Sequence, residues 1–366
     1  MKITLLISCL SGGGAERQVC NLANFLAERG HLVTLLTVSG KHTYEISEKV
    51  RHVCMYNEIG SRLPKPIINL LRLYRFHKYI RKERPDVYLT FLPRLTYLFS
   101  KQRKFVKCPI IVCERNDPEK YCKESGISKE VFVKSHSIGQ GYVFQTEQAK
   151  DYYMKNGIDV KNSIVIPNAI SPEFIRLRYK GERDKIVVAV GRLTPQKNHK
   201  LLIKAFSKLG IKFNDYKLYI YGEGPLRGEL NKLITELGMD DRIEIKGFSS
   251  NIANDIERAS LYVMSSDFEG MPNTLMEAMA LGLPCISTDC PVGGPKFLIR
   301  SEENGMLVPV NDECEMRKAI DYLLSNDQNR ENLGREAAKI ANELCPQKVY
   351  AKWEHFIEKV VMKYFR

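Results

Sequence analysis

Two carboxylates stand eight positions apart in the segment Glu269-Gly270-Met271-Pro272-Asn273-Thr274-Leu275-Met276-Glu277. The spacing fits a loop that runs into a helix, with Pro272 in the first turn, where its missing donor is harmless. The backbone amides of Gly270, Met271, Asn273 and Thr274 are then expected to form an anion site at the positive helix end. Glu277, four residues beyond Asn273, lies one turn deeper on the same face. An ionised carboxylate only accepts hydrogen bonds, so acids flanking a bound diphosphate are suited to hydroxyl groups. Glu277 is placed for a ribose and Glu269 for a sugar ring. Taken singly, Glu277 also reads as helix solubility and Glu269 as a helix-dipole partner. Neither explains the joint placement.

A second cluster is Gly191-Arg192-Leu193-Thr194-Pro195-Gln196-Lys197-Asn198, directly after the apolar run Ile186–Val190. Open α/β sheets bind ligands at the carboxyl ends of their strands. Arg192 offers a planar fork and Lys197 a point charge, which together suit a diphosphate. Surface solvation accounts for either cation alone, less well for both beside a glycine. A third loop, Gly12-Gly13-Gly14, follows Ile3–Ser8. It reads equally as a phosphate-approaching loop or as a tight turn. GxGxxG spacing fails at Arg17, and no acid ends the next strand at Ser39-Gly40. A GKS or GKT P-loop is absent from the sequence.

The elements that must hold these loops alternate along the chain. Ile3–Ser8, the helical pattern Glu16–Glu28 and Leu32–Val38 make one βαβ unit, parallel and right-handed. Further strands are expected at Val87–Phe91, Ile110–Cys113, Gly141–Phe144 and Ser163–Ile166. In the second half, strands Ile186–Val190, Lys217–Tyr221, Ile243–Lys246, Leu261–Met264 and Pro284–Ser287 alternate with helices. Those helices are expected at Lys200–Leu209, Leu226–Leu237, Ile252–Ala259 and Asn273–Ala280, followed by Glu313–Ser325 and Asn329–Glu343. Two doubly wound α/β domains fit the pattern: residues 1–170, a polar linker 171–185, and residues 186–346. The helix over 347–366 is expected to pack back on the first.

The 366 residues set a prior of about two domains. With 44% hydrophobic residues each half can bury a core, so disordered, collagen-like and disulfide-scaffold classes are excluded. Charge is divided unevenly. Residues 1–180 hold 30 Lys/Arg against 16 Asp/Glu, a balance of +14, whereas residues 181–366 hold 26 against 27. The two halves therefore call for different partners, the first of them anionic. Ten cysteines without a CxxC pair or zinc-like His spacing fit free thiols in a reducing cytosol. The short apolar amino terminus is read as a buried strand rather than a secretion signal, and no apolar run approaches a membrane span.

Together these segments resemble the family-4 retaining glycosyltransferases. The resemblance is carried by Glu269-x7-Glu277, Gly191-Arg192-Leu193 and Lys197-Asn198. Ala278-Met279-Ala280-Leu281-Gly282-Leu283-Pro284, Gly222-Glu223-Gly224, Gly294-Pro295, Asn304-Gly305 and Gly13-Gly14-Ala15-Glu16-Arg17 add to it. It implies a GT-B fold, two Rossmann-like domains facing across a cleft, with the donor nucleotide mainly on the second. By that resemblance Arg192, Lys197 and Glu269 carry catalysis: the two cations on the leaving diphosphate, the acid on donor sugar hydroxyls. Glu277 would hold the ribose, and Gly13 and Gly14 would approach from the first domain. Gly270, Met271, Asn273 and Thr274 would cradle the donor, and Phe248 would lie near the nucleobase. Fixed cations at a departing diphosphate act mostly in the transition state. No Asp-x-Asp occurs in the chain, so no metal or other cofactor is expected beyond the UDP-sugar donor substrate, and no nucleophile is named. Many relatives carry a His after the strand Ile110–Cys113, where this chain has Glu114-Arg115-Asn116-Asp117. The His roles do not transfer; Arg94, Arg115 and Asn116 are instead candidates to face the acceptor.

From Pro64 to Arg84, apolar and aromatic residues interleave with Arg72, Arg75, Lys78, Arg81 and Lys82. That character suits an interfacial helix on anionic lipid and equally an ordinary sheet-packed helix with a basic outer face. Joined to the family, it leads to an expected acceptor: a polyprenyl-diphosphate-linked glycan in surface polysaccharide or glycan assembly. The expected place is the cytoplasm, peripherally on the inner face of the plasma membrane, with no nucleic-acid partner. The rivals are a nucleotide-sugar epimerase or phosphorylase of the same fold, and a non-catalytic basic protein binding membrane or nucleic acid.

Overall fold

The computed structural model describes residues 1–10, 12–39, 43–56, 64–176, 179 and 181–366. The chain divides into two compact units, Met1–Asn168 with Gln347–Arg366, and Ala169–Pro346.

In the first unit, β1 (Lys2–Ile7), β2 (Leu32–Ser39), β3 (Arg51–Tyr56), β4 (Val87–Phe91), β5 (Ile110–Cys113), β6 (Gly141–Phe144) and β7 (Ser163–Val165) form one sheet. Its order is β3-β2-β1-β4-β5-β6-β7, and the paired strands run parallel. β1 is the centre, which is why Ile3 to Ile7 are all buried. α1 (Gly14–Glu28) buries Val19, Leu22, Ala23 and Leu26, the face its periodicity predicts. α2 (Lys65–Lys82), α3 (Pro93–Ser100) and α4 (Pro118–Ser125) follow β3, β4 and β5. The C-terminal helix Pro346–Phe365 buries Trp353, Phe356 and Ile357, and from Gln347 onward it belongs to this unit.

The second unit repeats the plan. β8 (Asp184–Val190), β9 (Lys217–Tyr221), β10 (Ile243–Gly247), β11 (Ala259–Met264), β12 (Cys285–Thr288) and β13 (Met306–Val308) take the order β10-β9-β8-β11-β12-β13. Helices cover both faces of such a sheet, so its central strands read as continuous apolar runs. In each unit the order reverses beside the first strand, at β1/β4 and at β8/β11. Those are the switch points where open α/β sheets hold ligands.

Several expectations need correction. The chain re-enters a strand at Ala259, so the helix beginning at Ile252 stops at Ile256. The segment expected as one helix over 329–343 is two, Asp327–Ala337 and Ile340–Glu343. Strands β3 and β13 were not foreseen. Residues 171–185 lie inside the second unit and include the helix Pro172–Arg176, with Phe174 buried; residues 177, 178 and 180 fall outside the described residues.

Candidate functional site

Both second-unit clusters emerge at one switch point, from the carboxyl ends of β8 and β11. After β8 the chain makes a short 3-10 turn, Pro195–Lys197, and enters α5 (His199–Ser207) through Asn198. Asn198 is left-handed at φ 42°, and its side chain caps the Leu201 amide at 3.3 Å. Asparagine tolerates that backbone better than most residues. Its Nδ2 also donates to Asp267 at 2.8 Å, while Asp267 N–H donates to the Gln196 carbonyl at 2.9 Å. The two loops are stitched together before any charge is considered.

The charges then meet. Lys197 Nζ lies 2.5 Å from Glu269 Oε1, and Ser266 Oγ donates to the same oxygen at 2.8 Å. The side chains are 14% and 9% exposed, so the pair sits largely out of water. Glu269 is fixed through its backbone as well. Its N–H donates to the Pro291 carbonyl at 2.8 Å, and its carbonyl accepts from Val292 N–H at 2.9 Å. Gly294 packs so closely here that a Cβ would lie 1.8 Å from the Gly270 carbonyl oxygen. Only glycine permits that contact.

Beyond Gly270 the chain enters α6 (Asn273–Ala280). Pro272 is its N-cap rather than its first helical residue, and no side chain caps it. The positive helix end is therefore not neutralised from within. Glu277 is buried on this helix, and the Tyr262 hydroxyl bonds Thr274 Oγ1 at 2.9 Å. Burial raises the Tyr262 pKa, and the charges of Cys285, Glu269 and Glu277 add to the rise. Both carboxylates thus act on one hydroxyl at the foot of the helix.

Neighbouring loops close around Gly191. Its N–H donates to the Tyr221 carbonyl at 2.9 Å, Leu193 N–H donates to Glu223 at 2.9 Å, and Gly222 N–H donates to Gly247 at 2.8 Å. A Cβ on Gly222 would fall 1.9 Å from the Gly191 oxygen, which explains the Gly222-Glu223-Gly224 segment. Arg192 is exposed with no ion-pair partner among the described residues, and Phe248 is 80% exposed after β10. His199 was missed by the sequence reading. It is buried, and its pKa is pushed down to about 4, first by burial and then by Lys197, against the opposing pull of the Gly191 and Arg192 backbone carbonyls. The ring is neutral at pH 7, so it adds no charge beneath the cations. Only its position after Lys197-Asn198 in a helix N-terminus pointed to it.

In the first unit, Gly13 is the N-cap of α1 and its N–H donates to Glu16 Oε2 at 2.5 Å. The helix end here is occupied by its own acid, in contrast to α6. Arg94 and Asn116 line a cavity of about 580 Å³ together with Tyr121. Arg115 departs from expectation: its guanidinium is buried 5.2 Å from the Trp353 ring and 5.8 Å from Phe91. Burial lowers its pKa to about 10, and its Nε and Nη1 have no partner among the described residues. The residue that organises the loop is Glu114, also missed. It accepts from the amides of Arg115 at 2.9 Å and Asn116 at 3.0 Å, and from the Tyr153 hydroxyl at 2.9 Å.

Comparison with known proteins identifies the family and the fold. The profile described as "Glycosyltransferase Family 4" matches residues 12–174, and that described as "Glycosyl transferases group 1" matches 173–340. The chain is 29% identical over 342 residues to N-acetylgalactosamine-N,N'-diacetylbacillosaminyl-diphospho-undecaprenol 4-alpha-N-acetylgalactosaminyltransferase of Campylobacter jejuni, covering 90% of this chain and 92% of that one. It is 26% identical to the GalNAc-alpha-(1->4)-GalNAc-alpha-(1->3)-diNAcBac-PP-undecaprenol alpha-1,4-N-acetyl-D-galactosaminyltransferase of the same organism, over 98% of this chain and 99% of that one. The structure of Anabaena HepE, solved with UDP and glucose, superposes with a TM-score of 0.80 at 16% identity, covering 98% of this chain and 100% of that one. That likeness shows the fold, which is GT-B. With the two profiles meeting end to end across residues 12–340, the chain is a glycosyltransferase and belongs to family 4.

Proposed function

We propose that the protein transfers a hexose or N-acetylhexosamine from a UDP-sugar, with retention and without a metal, to a polyprenyl-diphosphate-linked glycan acceptor during surface-polysaccharide or glycan assembly. The observation that carries this reading is the Lys197–Glu269 pair at 2.5 Å, set at the β8/β11 switch point beside the uncapped start of α6. The pair couples a cation suited to diphosphate with an acceptor suited to sugar hydroxyls. The exposed Arg192 fork takes the diphosphate with Lys197, and the backbone amides of Gly270 and Met271 in the loop before α6, with those of Asn273 and Thr274 in its first turn, complete that site. Glu277 takes the ribose and Phe248 stacks on the base.

Charge that builds on the departing diphosphate falls on cations fixed beforehand, which costs little reorganisation at the moment of reaction. This supports a route without a metal, as does the lack of an Asp-x-Asp in the sequence. The acceptor class is supported by the two Campylobacter relatives, whose names specify diphospho-undecaprenol-linked glycans. A UDP-sugar is supported by HepE, solved with UDP and glucose.

A donor screen tests the reading. Thermal shift and product analysis with UDP-Glc, UDP-Gal, UDP-GlcNAc, UDP-GalNAc and GDP-Man should single out a UDP-sugar. Transfer should keep the anomeric configuration and survive EDTA. An isomerised sugar or sugar phosphate formed without an acceptor would favour the epimerase or phosphorylase alternative.

A further inference from the structure

A second cavity of the first unit lies at the other pole of its sheet, where β1 and β2 begin, and the proposed reaction makes no use of it. It holds about 480 Å³, a size that admits a small organic molecule. Five cations line it, Lys2, Lys49, Arg51, Lys82 and Arg84, against the single acid Glu83. That acid is already engaged, 3.1 Å from the Arg51 guanidinium. Asp86, just outside the lining, accepts from the Lys2 backbone amide at 2.8 Å. Lys2, Lys49, Lys82 and Arg84 are exposed and form no ion pair among the described residues. Basic residues in the last turn of a helix complement its negative end, which accounts for Lys82 on α2. It does not account for Lys2 and Lys49, which arrive from the start of β1 and from the loop before β3.

A concave surface lined by one sign of charge focuses its potential and concentrates ions of the other sign. The wall between the cations is polar as well. The Tyr79 hydroxyl lies 3.4 Å from that of buried Thr4, and Thr34 stands beside them. Such hydroxyls donate to anionic oxygens. We propose that this pocket binds a phosphate group carrying two or more negative charges, held by Lys2, Lys49, Lys82 and Arg84. Ammonium point charges and a guanidinium fork both suit phosphate oxygens, and a singly charged carboxylate would leave most of the four cations unanswered. A free phosphorylated metabolite and a phospholipid headgroup present the same oxygens to the pocket. Open α/β sheets hold their reacting ligands at the carboxyl ends of the strands. The ligand of the amino-end pole is therefore an effector or an anchor, not a substrate.

Calorimetric titration of the full chain with inorganic diphosphate, at low salt and with UDP saturating the donor site, tests this directly. Wild-type binding should weaken as salt rises, because exposed charges are screened. Lys82→Glu/Arg84→Glu, at exposed positions, should lower the diphosphate affinity at least tenfold. Lys2→Glu/Lys49→Glu should reproduce that loss from the other two elements, and serves alone if the first pair does not fold. Arg94→Ala, in the separate cavity at the carboxyl ends, should change nothing. Sedimentation with vesicles of phosphatidylcholine and phosphatidic acid in equal parts, against phosphatidylcholine alone, distinguishes the two sources. Vesicle binding lost in the same variants assigns the pocket a lipid headgroup, whereas vesicle binding kept while diphosphate is lost assigns it a free phosphate. Diphosphate affinity unchanged in both reversal variants overturns the proposal, as does a UDP-saturated wild-type chain that binds no diphosphate. Neither result touches the proposed transfer reaction, which the donor screen reads separately.

Discussion

At the residue scale, the site depends on charges that are satisfied by one another before any ligand arrives. Lys197 and Glu269 neutralise each other in a largely buried setting. Removing either leaves a charge out of water, at a cost of about 3–5 kcal/mol. Lys197→Ala should therefore lower the melting temperature and reduce kcat by about a hundredfold to a thousandfold, as loss of a fixed transition-state donor does. Glu269→Gln keeps the shape and separates the two effects. Steady-state kinetics at saturating donor check this, and an unchanged kcat in folded Lys197→Ala would remove the lysine from the reaction. Glu114 makes a different prediction. Burial pushes its carboxyl up to about 7 from the ordinary 4.5, against hydrogen bonds from the Asn116 amide, Tyr153 and the Arg115 amide. The folded chain holds that proton more tightly than the unfolded chain, so stability of the first unit falls as pH rises from about 4.5 to about 7. Glu114→Gln should flatten that slope. Trp353, the single tryptophan and a core residue of this unit, reports it by fluorescence during denaturant titration. A slope that persists in the variant would assign the pH dependence to another group.

At the element scale, the loops are shaped by close backbone approach. Gly294→Ala places a Cβ 1.8 Å from the Gly270 oxygen and must displace the Glu269–Pro272 loop. UDP affinity, read by calorimetry, should fall at least tenfold. Gly228→Ala, where a Cβ meets nothing within 4 Å, should leave UDP binding intact and gain roughly 0.5–1 kcal/mol of helix stability. Equal UDP affinities for the two variants would show that the Gly294 contact does not shape the donor loop. The same scale explains what the sequence concealed. β3 and β13 are edge strands, and an edge strand can carry polar residues such as Arg51 and His52, or shrink to Met306–Val308. Neither presents the apolar run that marks β8 or β4. Pairing with β2 and β12, which the sequence does not display, makes them strands.

At the scale of the whole molecule, the charge imbalance acquires a surface. α2 exposes Ile67, Leu70 and Tyr74 at 45%, 68% and 62%, and these positions fall on one helical stripe. Lys78 and Arg81 continue it in exposed positions. The exposed stripe is thus distinct from the inner one at Ile68, Phe76 and Ile80, which is buried. No helix among the described residues is long and apolar enough to cross a membrane. The protein is expected to sediment with anionic liposomes at low salt and to be released as salt rises, because exposed charge attraction is screened. Ile67→Ser/Leu70→Ser/Tyr74→Ser should weaken sedimentation severalfold without altering UDP binding. Failure of the wild-type protein to sediment would return α2 to an ordinary basic helix face.

The sequence by itself determined the alternation of strands and helices, and with it two doubly wound sheets. A buried parallel strand must be apolar throughout, and a covering helix must be apolar on one side. It also determined which loops carry cations and carboxylates, since residue type and position after a strand are local properties. Only the tertiary structure decided which of these groups meet. Lys197 and Glu269 are far apart in the chain and become partners because β8 and β11 are neighbours across a crossover. Arg115 and Asn116 are adjacent in the chain yet separate, one buried against Trp353 from the C-terminal helix and the other lining the cavity. Sheet order and long-range packing fix those outcomes, and neither is written in the spacing of neighbouring residues.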